Sequence, residues 1–529
     1  MSNTRFIGGD VLAVIFGLFL RWCISLQSYS GQDSPPMYGD YEAQRHWMEI
    51  TVNLPTKEWY FNTSNNDLMY WGLDYPPLTA YHSMVCGYVA KYFNPDFVKL
   101  HESRGYESIN HKLFMRASVF ISELLTFVPA ICLYFSFSKS RKTESFKSVS
   151  KENMSDSKTR LSSTLMVTIA LIYPGLILID YGHFQFNCVS LGLFVFALVS
   201  IIQHNYIVSS IFFCLALSYK QMELYHSLPF FFYFLGLCYN LWQYEGFKQG
   251  LFLLFIIGSS VIMTFLLVWL PFLQEKKTTF QVLHRLFPIA RGVFEDKVAN
   301  FWCCLNVFYK IRNYVSNDSM AKICLFDTVF SVLPSCVDLF LNPTFHKFKL
   351  SLINSSLAFF LFSFQVHEKS ILLVSIPILL QFPQDQFPCF WFLIISTFSM
   401  SHLFMKDNIL IPYIGLTVFF YLFILSALDL KSIITTSVIS AQTRVPSFFG
   451  RKFMLNIDFC RIVKWVFHLS MLGCLIITVC SLTLEPPEKY PDLYPLLISF
   501  YSFIHFLLFF IYFNFSQISS KVCVKLKIN

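Results

Sequence analysis

Fourteen apolar runs follow one another along this chain, and they constrain its fold more than any other feature of the sequence. A helix needs about 20 predominantly apolar residues to cross a bilayer, and most of the runs are near that length. Only 14% of the residues are charged, against about 25% in ordinary soluble domains. We therefore expect an all-α polytopic membrane protein with about fourteen transmembrane helices. The runs lie near residues 8–28, 112–136, 162–180, 188–204, 206–221, 224–241, 251–273, 321–342, 349–366, 370–383, 387–405, 408–430, 461–483 and 493–515.

The charges between the runs predict how the chain is threaded through the membrane. Residues 137–161 and 431–460 are rich in lysine and arginine, which is typical of cytosolic loops. One pair of helices then places residues 29–111 on the other side as the first lumenal loop, and residues 274–320 form a second large lumenal loop. An even number of helices leaves both termini in the cytosol, with residues 1–529 forming a single membrane domain.

Two short signals indicate the endoplasmic reticulum membrane. Lys525 and Lys527, near the C-terminus, resemble a dilysine retrieval signal, although the alternative is a basic tail held by anionic lipid. Asn62-Thr63-Ser64 is an N-glycosylation sequon in the loop expected to be lumenal. The cytosolic loops account for the net charge of +8, so we expect no nucleic-acid partner.

The cysteines predict neither a disulfide framework nor a metal site. The 15 cysteines are scattered mostly through apolar runs, and no two of them have the CxxC spacing. The chain also lacks a glycine-rich phosphate loop, which argues against a nucleotide as direct substrate.

Polar and aromatic residues are concentrated between Tyr38 and Ser83, within the first lumenal loop. Carboxylates and imidazoles move protons, and flat aromatic faces contact sugar rings. This segment is therefore the expected site of chemistry on a carbohydrate. Its ionisable side chains include Asp40, Glu42, Arg45, His46, Glu49, Asp67, Asp74 and His82, set among Trp47, Trp59, Tyr60, Trp71 and Tyr75.

Asp40 stands where an irregular segment gives way to a helical pattern that continues to Val52. One interpretation is an N-cap, in which the carboxylate accepts hydrogen bonds from the first amides of the helix. The other is a general base that takes a proton from a sugar hydroxyl. One residue can do both.

The residues after Asp40 are candidate substrate contacts: Glu42, Arg45, His46 and Trp47. Glu42 and His46 are four residues apart, as are Arg45 and Glu49. The alternative is therefore ordinary charge pairing on the surface of a helix.

A predicted rigid turn, Trp71-Gly72-Leu73-Asp74-Tyr75-Pro76-Pro77, contains two further candidates. Each proline fixes its own φ and restrains the residue before it. Asp74 and Tyr75 would be held for substrate contact, or Asp74 would only order the turn through its own backbone.

Five more candidates lie at predicted helix ends. His183 and Gln185 follow the third run and are expected on the lumenal side, where they could contact a phosphate or a hydroxyl. Arg291 lies in the second lumenal loop. His367 and Lys369 interrupt two apolar runs, which is costly at membrane level unless the charges are paired or functional. The alternative for the triplet His367-Glu368-Lys369 is an ion pair between Glu368 and Lys369.

At these residues the chain resembles a known family, the dolichyl-phosphate-glucose-dependent α-1,3-glucosyltransferases of the endoplasmic reticulum. The resemblance extends from about Tyr29 to Leu372. It is carried by the runs YGDYEAQRHWMEIT, YWGLDYPPLTAYHS, SRGYES, GHFQFNCVSLGL, FPIARGVFEDKVANFWC and VHEKSILL.

The resemblance implies a GT-C glycosyltransferase fold with its active site at the lumenal face and a reaction that needs no metal or other cofactor. It implies transfer of the first glucose, α-1,3-linked and with inversion, from dolichyl-phosphate-glucose. The acceptor would be the terminal A-branch mannose of Man9GlcNAc2-pyrophosphoryl-dolichol, during assembly of the lipid-linked oligosaccharide for N-glycosylation. Asp40 matches the general base of the family.

The same resemblance implies a dolichyl phosphate leaving group, which needs nearby cations or hydrogen-bond donors. His183, Arg291, His367 and Lys369 are the candidates for that role.

Two other functions are weighed against this one. Addition of the second α-1,3-glucose would use the same donor and fold. A transporter or flippase of a lipid-linked sugar would carry ionisable residues along the middle of its spans, whereas the polar groups here cluster in predicted lumenal loops.

Overall fold

A computed structural model describes residues 7–147, 161–287, 297–444 and 457–520. Within these residues the regular structure is helical. The α-helices are α1 (Ile7–Ser25), α2 (Asp40–Asn53), α3 (Pro77–Phe93), α4 (Ile109–Leu125), α5 (Phe127–Lys147), α6 (Ser163–Leu171), α7 (Pro174–Ile177), α8 (Asn187–Ile202), α9 (Tyr206–Tyr219), α10 (Leu224–Glu245), α11 (Phe247–Trp269), α12 (Lys276–Leu286), α13 (Phe301–Phe308), α14 (Asn317–Leu341), α15 (Phe345–Phe362), α16 (Leu372–Gln381), α17 (Gln386–Ser399), α18 (Ser401–Lys406), α19 (Leu410–Ala427), α20 (Leu430–Arg444), α21 (Ile457–Thr483) and α22 (Leu493–Ile518).

Shorter helical segments connect several of these helices. Leu178–Phe184 is π-helical, and the 3₁₀ segments are Thr56–Glu58, Pro95–Val98, Gln221–Glu223, Leu270–Phe272, Ile311–Asn313 and Glu368–Ile371.

The chain divides into two compact units. The first consists of Met1–Leu224, Phe252–Ile289 and Leu403–Leu416, and the second of Tyr225–Leu251, Ala290–His402 and Thr417–Asn529.

In the first unit, α8 packs against both α5 and α9, α2 against α3, and α1 against α6. Asp40 and Glu42 lie in the first turn of α2, where negative charge interacts favourably with the helix dipole. Pro77 begins α3, a position at which its missing N–H costs nothing.

In the second unit, α15 packs against α14, α16 and α22, and α17 packs against α16 and α22. A buried lysine inside it is paired. Lys347 forms a 2.6 Å ion pair with Asp338, and Gln517 donates to Asp338 at 3.1 Å. Such pairing is what makes charge tolerable inside a membrane protein.

Several helices present large apolar side chains outward. On α11, Phe252, Phe255 and Leu267 are 64%, 69% and 66% exposed, as expected of a surface that lies against lipid. Nine helical segments of the described residues are long and apolar enough to cross a membrane, and α8 and α9 are shorter apolar helices.

The predicted all-α polytopic class is therefore confirmed. The count of about fourteen spans, the loop boundaries and the single membrane domain stay predictions.

Candidate active site

Asp40 is the first residue of α2, and its position corrects one interpretation of the sequence. The N-cap residue is Gly39, and no side chain caps the helix there. Gly39 is required because a Cβ on it would lie 2.5 Å from the carbonyl carbon of Ser30. This close approach brings the Asp40 amide within 3.4 Å of Ser30 Oγ. The carboxylate of Asp40 is therefore directed to other partners.

Those partners are His183 and Gln185, which both bind the same oxygen of Asp40. His183 Nε2 lies 3.1 Å from Asp40 Oδ2, and Gln185 Nε2 donates a short hydrogen bond to that oxygen. The other imidazole nitrogen, Nδ1, lies 2.5 Å from Oδ2 of Asp407. Asp407, His183 and Asp40 thus form a continuous chain of hydrogen bonds.

Only one end of this chain reaches solvent. The side chain of Asp40 is 24% exposed, whereas those of His183 and Asp407 are 6% and 3% exposed. His183 was predicted as a phosphate contact, and this geometry corrects that role: its two nitrogens are engaged by carboxylates.

The backbone turns sharply between the two residues that bind Asp40. Phe184, which separates His183 from Gln185, has φ of 90°, a conformation rare for any residue except glycine. The reversal allows both neighbouring side chains to reach one carboxylate. π-Helical segments are rare in proteins, and those that do occur are often found at functional sites.

Three buried contacts fix the π-helical segment. Arg116 donates to the carbonyl of Gly182 at 2.9 Å, and Tyr181 donates to Glu123 at 2.5 Å. Asp180 accepts from the amide of Cys188 at 2.7 Å, at the N-terminus of α8. The segment that holds His183 is therefore anchored on both sides.

A cleft adjoins this network, and a lysine lines it. Lys220 Nζ lies 2.5 Å from Oδ1 of Asn187 and 3.4 Å from Oε1 of Gln185. Gln185 thus donates to Asp40 through one end of its amide and accepts from Lys220 through the other. Gln44, one turn after Asp40 on α2, also lines the cleft.

Tyr75, at the end of the predicted turn that begins at Trp71, also lines the cleft. The five consecutive backbone carbonyls of this turn all accept hydrogen bonds from side chains. Trp47 donates to the carbonyl of Trp71 at 2.9 Å, and Arg285 donates to those of Gly72 at 2.8 Å and Leu73 at 3.2 Å. Gln221 donates to the carbonyl of Asp74 at 3.0 Å, and Tyr60 donates to that of Tyr75 at 2.8 Å. The turn is rigid as predicted, because other segments bind its backbone. Trp47 itself is 4% exposed, so its role is to support the turn.

The predicted contacts Glu42, Arg45 and His46 are buried, which corrects their assignment. Arg45 binds Glu42 at 2.6 Å and Glu49 at 2.7 Å, and it donates to Ser103 at 2.5 Å. Arg45 and His46 are 0% exposed, so they offer a sugar no surface. The charges do pair along the helix, but inside the protein rather than on its surface, and they tie α2 to the segment around Ser103.

Two of the remaining candidates belong to the second unit. His367 and Lys369 are half-buried in the second unit, and Glu368 between them lies 3.1 Å from His402 Nε2. The prediction that Glu368 pairs with Lys369 is thus incomplete, because Glu368 also contacts His402. Arg291, Lys525 and Lys527 lie outside the described residues, as do parts of the two basic loops.

Sequence reasoning missed Lys220 and Asp407. Each is an ionisable residue at the end of an apolar run, and charge at membrane level marks a functional site by default. That rule, applied to single residues as well as clusters, would have found both.

This arrangement can move a proton and hold an anion. Asp40 is a partly exposed carboxylate with fixed partners, suited to accept a proton from a bound hydroxyl. Lys220 supplies positive charge, and it is separated from Asp40 by the side chain of Gln185. Within the described residues, no group of three or more His, Cys, Asp or Glu side chains is placed to hold a metal ion. The metal-independent reaction stays a prediction.

Comparison with known proteins gives one family and several relatives. The sequence pattern of the ALG6, ALG8 glycosyltransferase family matches residues 17–512. A "Dolichyl pyrophosphate Man9GlcNAc2 alpha-1,3-glucosyltransferase" of Mus musculus is 48% identical over 505 residues, covering 95% of both chains. The Gallus gallus protein of the same name is 48% identical over 515 residues, again 95% of both. A solved structure, ArnT from Cupriavidus metallidurans bound to undecaprenyl phosphate, aligns over 96% of this chain and 77% of its own with a TM-score of 0.38 and 11% identity.

Proposed function

Because the chain belongs to the ALG6, ALG8 glycosyltransferase family, we propose that it transfers glucose from dolichyl-phosphate-glucose to Man9GlcNAc2-pyrophosphoryl-dolichol. The new bond is α-1,3-linked, to the terminal mannose of the A branch, and it forms with inversion in a single displacement. The observation that carries the proposal is the Asp40 carboxylate, partly exposed at the start of α2 and bound by His183 and Gln185.

Asp40 acts as the general base. The mannose hydroxyl attacks the anomeric carbon of glucose while its proton passes to Asp40, and the bond between that carbon and the phosphate oxygen breaks. The start of a helix suits this role, because the dipole stabilises the ionised carboxylate before the reaction.

His183 orients Asp40, and Asp407 orients His183. A carboxylate behind a histidine fixes the tautomer and the ring position of the imidazole, as in other hydrogen-bonded catalytic chains. Asp40 touches the reacting hydroxyl, whereas His183 and Asp407 are positioning residues.

The site lies on the lumenal side of the endoplasmic reticulum membrane, and both termini are cytosolic. The large polar first loop and the basic loops around residues 137–161 and 431–460 support this orientation. A glycan acceptor and a polar catalytic segment then share one compartment.

A transfer assay with purified protein tests the proposal. The donors are dolichyl-phosphate-glucose and UDP-glucose, and the acceptors are Man9GlcNAc2 lipid and its monoglucosylated form. We expect transfer only from the lipid-linked donor to the unglucosylated acceptor, with an α-1,3 bond found by mass and linkage analysis. Transfer from UDP-glucose would overturn the donor assignment. Transfer only to the glucosylated acceptor would identify the second glucose as the product, which is the alternative predicted from the sequence.

A further inference from the structure

Lys220 lies between α9 and the 3₁₀ segment Gln221–Glu223, with its ammonium group in the cleft beside Asp40. Its partners there are the amide oxygens of Asn187 and Gln185, at 2.5 and 3.4 Å, and the ring of Tyr75, whose centroid is 5.3 Å from Nζ. These three groups orient the ammonium. The lysine is half-buried, and Tyr75 is fixed by the hydrogen-bonded turn.

We propose that Lys220 forms the subsite for the phosphate of the lipid-linked donor and binds that phosphate more strongly as glucose departs. This inference rests on the proposed function. It adds a residue that the sequence did not indicate for this role, and it moves the phosphate contact from His183 to Lys220.

The position of Lys220 relative to the base supports this assignment. In a single displacement the attacking oxygen and the leaving oxygen lie on opposite sides of the anomeric carbon, with reacting atoms about 3 to 3.5 Å apart before reaction. The base and the group that binds the phosphate must therefore belong to one site. Gln185 links them, because its amide contacts Asp40 at one end and Lys220 at the other.

The charge balance explains why binding strengthens during the reaction. The donor is a phosphodiester with one negative charge. When the bond between carbon and phosphate oxygen breaks, the electron pair stays on that oxygen, the proton of the acceptor goes to Asp40, and dolichyl phosphate leaves as a monoester. Its second pKa is about 6, so it carries nearly two negative charges near neutral pH. A fixed cation stabilises the developing charge more than the initial charge.

The test compares Lys220→Gln, Lys220→Arg and the control Lys277→Gln. Lys277 also lies over an aromatic ring, that of Phe61 at 5.9 Å, but it is exposed. Lys220→Gln retains an amide donor for Asn187 and removes only the charge. We measure kcat, the KM for dolichyl-phosphate-glucose and inhibition by dolichyl phosphate, dolichol and inorganic phosphate.

We expect Lys220→Gln to lower kcat by about 100-fold and to weaken inhibition by dolichyl phosphate by at least about 10-fold. The donor KM should change less, inhibition by dolichol should not change, and Lys220→Arg should restore part of the activity. Unchanged inhibition by dolichyl phosphate in a folded Lys220→Gln protein would overturn the proposal, as would an equal effect of Lys277→Gln. Inhibition by inorganic phosphate that is as strong as that by dolichyl phosphate would identify a free anion as the ligand and also overturn it.

Binding can be followed without turnover. Dolichyl phosphate should raise the unfolding temperature of the wild type and of Lys220→Arg, but not that of Lys220→Gln. If the wild type transferred no glucose yet showed this pattern, the proposed function would fail and the phosphate subsite would stand. If the wild type transferred glucose but dolichyl phosphate stabilised the wild type, Lys220→Arg and Lys220→Gln equally, the proposed function would stand and the phosphate subsite would fail.

Discussion

His183 and Asp407 are joined by a hydrogen bond of 2.5 Å between Nδ1 and Oδ2, although 224 residues separate them in the chain. The same imidazole reaches Asp40 through Nε2 at 3.1 Å. Asp407 therefore controls which way the ring faces and where its protons lie, without contacting a substrate.

Replacing Asp407 by asparagine should slow the reaction without weakening substrate binding. The asparagine amide oxygen can still accept from Nδ1, but the negative charge of the carboxylate behind the ring is lost. We expect kcat to fall about 10-fold or more, with both KM values within about twofold of wild type. Steady-state kinetics with each substrate varied in turn measures this. Asp318→Asn, on a side chain that is 74% exposed, is the control and should leave kcat unchanged. A rise in KM alone would argue against a positioning role.

Replacing Asp40 by asparagine should nearly abolish turnover. The amide has the same shape but cannot take up the proton of the acceptor, and general-base catalysis contributes about 10²- to 10⁴-fold. We expect kcat to fall by at least about 100-fold while the donor still raises the unfolding temperature. Asp67→Asn removes the same charge from an exposed carboxylate of the same loop and serves as the control. Substantial activity in folded Asp40→Asn would assign the base to another residue.

Replacing Arg45 by methionine should destabilise the protein. The guanidinium neutralises two buried carboxylates, Glu42 and Glu49, and breaking such a pair from one side costs about 3–5 kcal/mol. Denaturant unfolding in detergent measures the loss. Lys99→Met tests an ion pair of the same i,i+3 spacing, Lys99 with Glu102, in which both side chains are exposed. This control should unfold at the same denaturant concentration as the wild type. An equal loss of stability in both variants would contradict the assigned structural role of Arg45.

Acid should weaken the first unit through Glu49. Burial raises the pKa of this carboxyl, but the hydrogen bond with His46 and the charge of Arg45 outweigh it and lower the pKa from 4.5 to about 2. The unfolded chain, with the ordinary value, takes up the proton first. The stability that Glu49 contributes, about 3 kcal/mol, is therefore complete above pH 4.5 and is lost as the pH falls towards 2.

Unfolding temperatures measured between pH 6 and pH 3 check this pH dependence. Glu49→Gln does not ionise, so its unfolding temperature should be lower than that of the wild type at pH 6 and should fall less steeply with acid. Parallel curves for the two proteins would show that Glu49 does not carry the effect.

The sequence alone was sufficient for the fold class and the family. Apolar run length predicts helices that cross a bilayer, because backbone groups in lipid must be satisfied within each helix. The matched family confirms the glycosyltransferase family predicted from the quoted runs. Asp40, His183 and Gln185 were all predicted as site residues, and they are in contact.

Only the tertiary structure decided the role of each residue. A local pattern predicts neighbours three or four positions apart, and so it paired Arg45 with Glu49 correctly, but it could not tell a buried pair from an exposed one. Asp407 and Lys220 became part of the site because packing brings together residues that are far apart in the chain. Burial and long-range contact are properties of how helices pack, and the order of residues along each helix does not specify them.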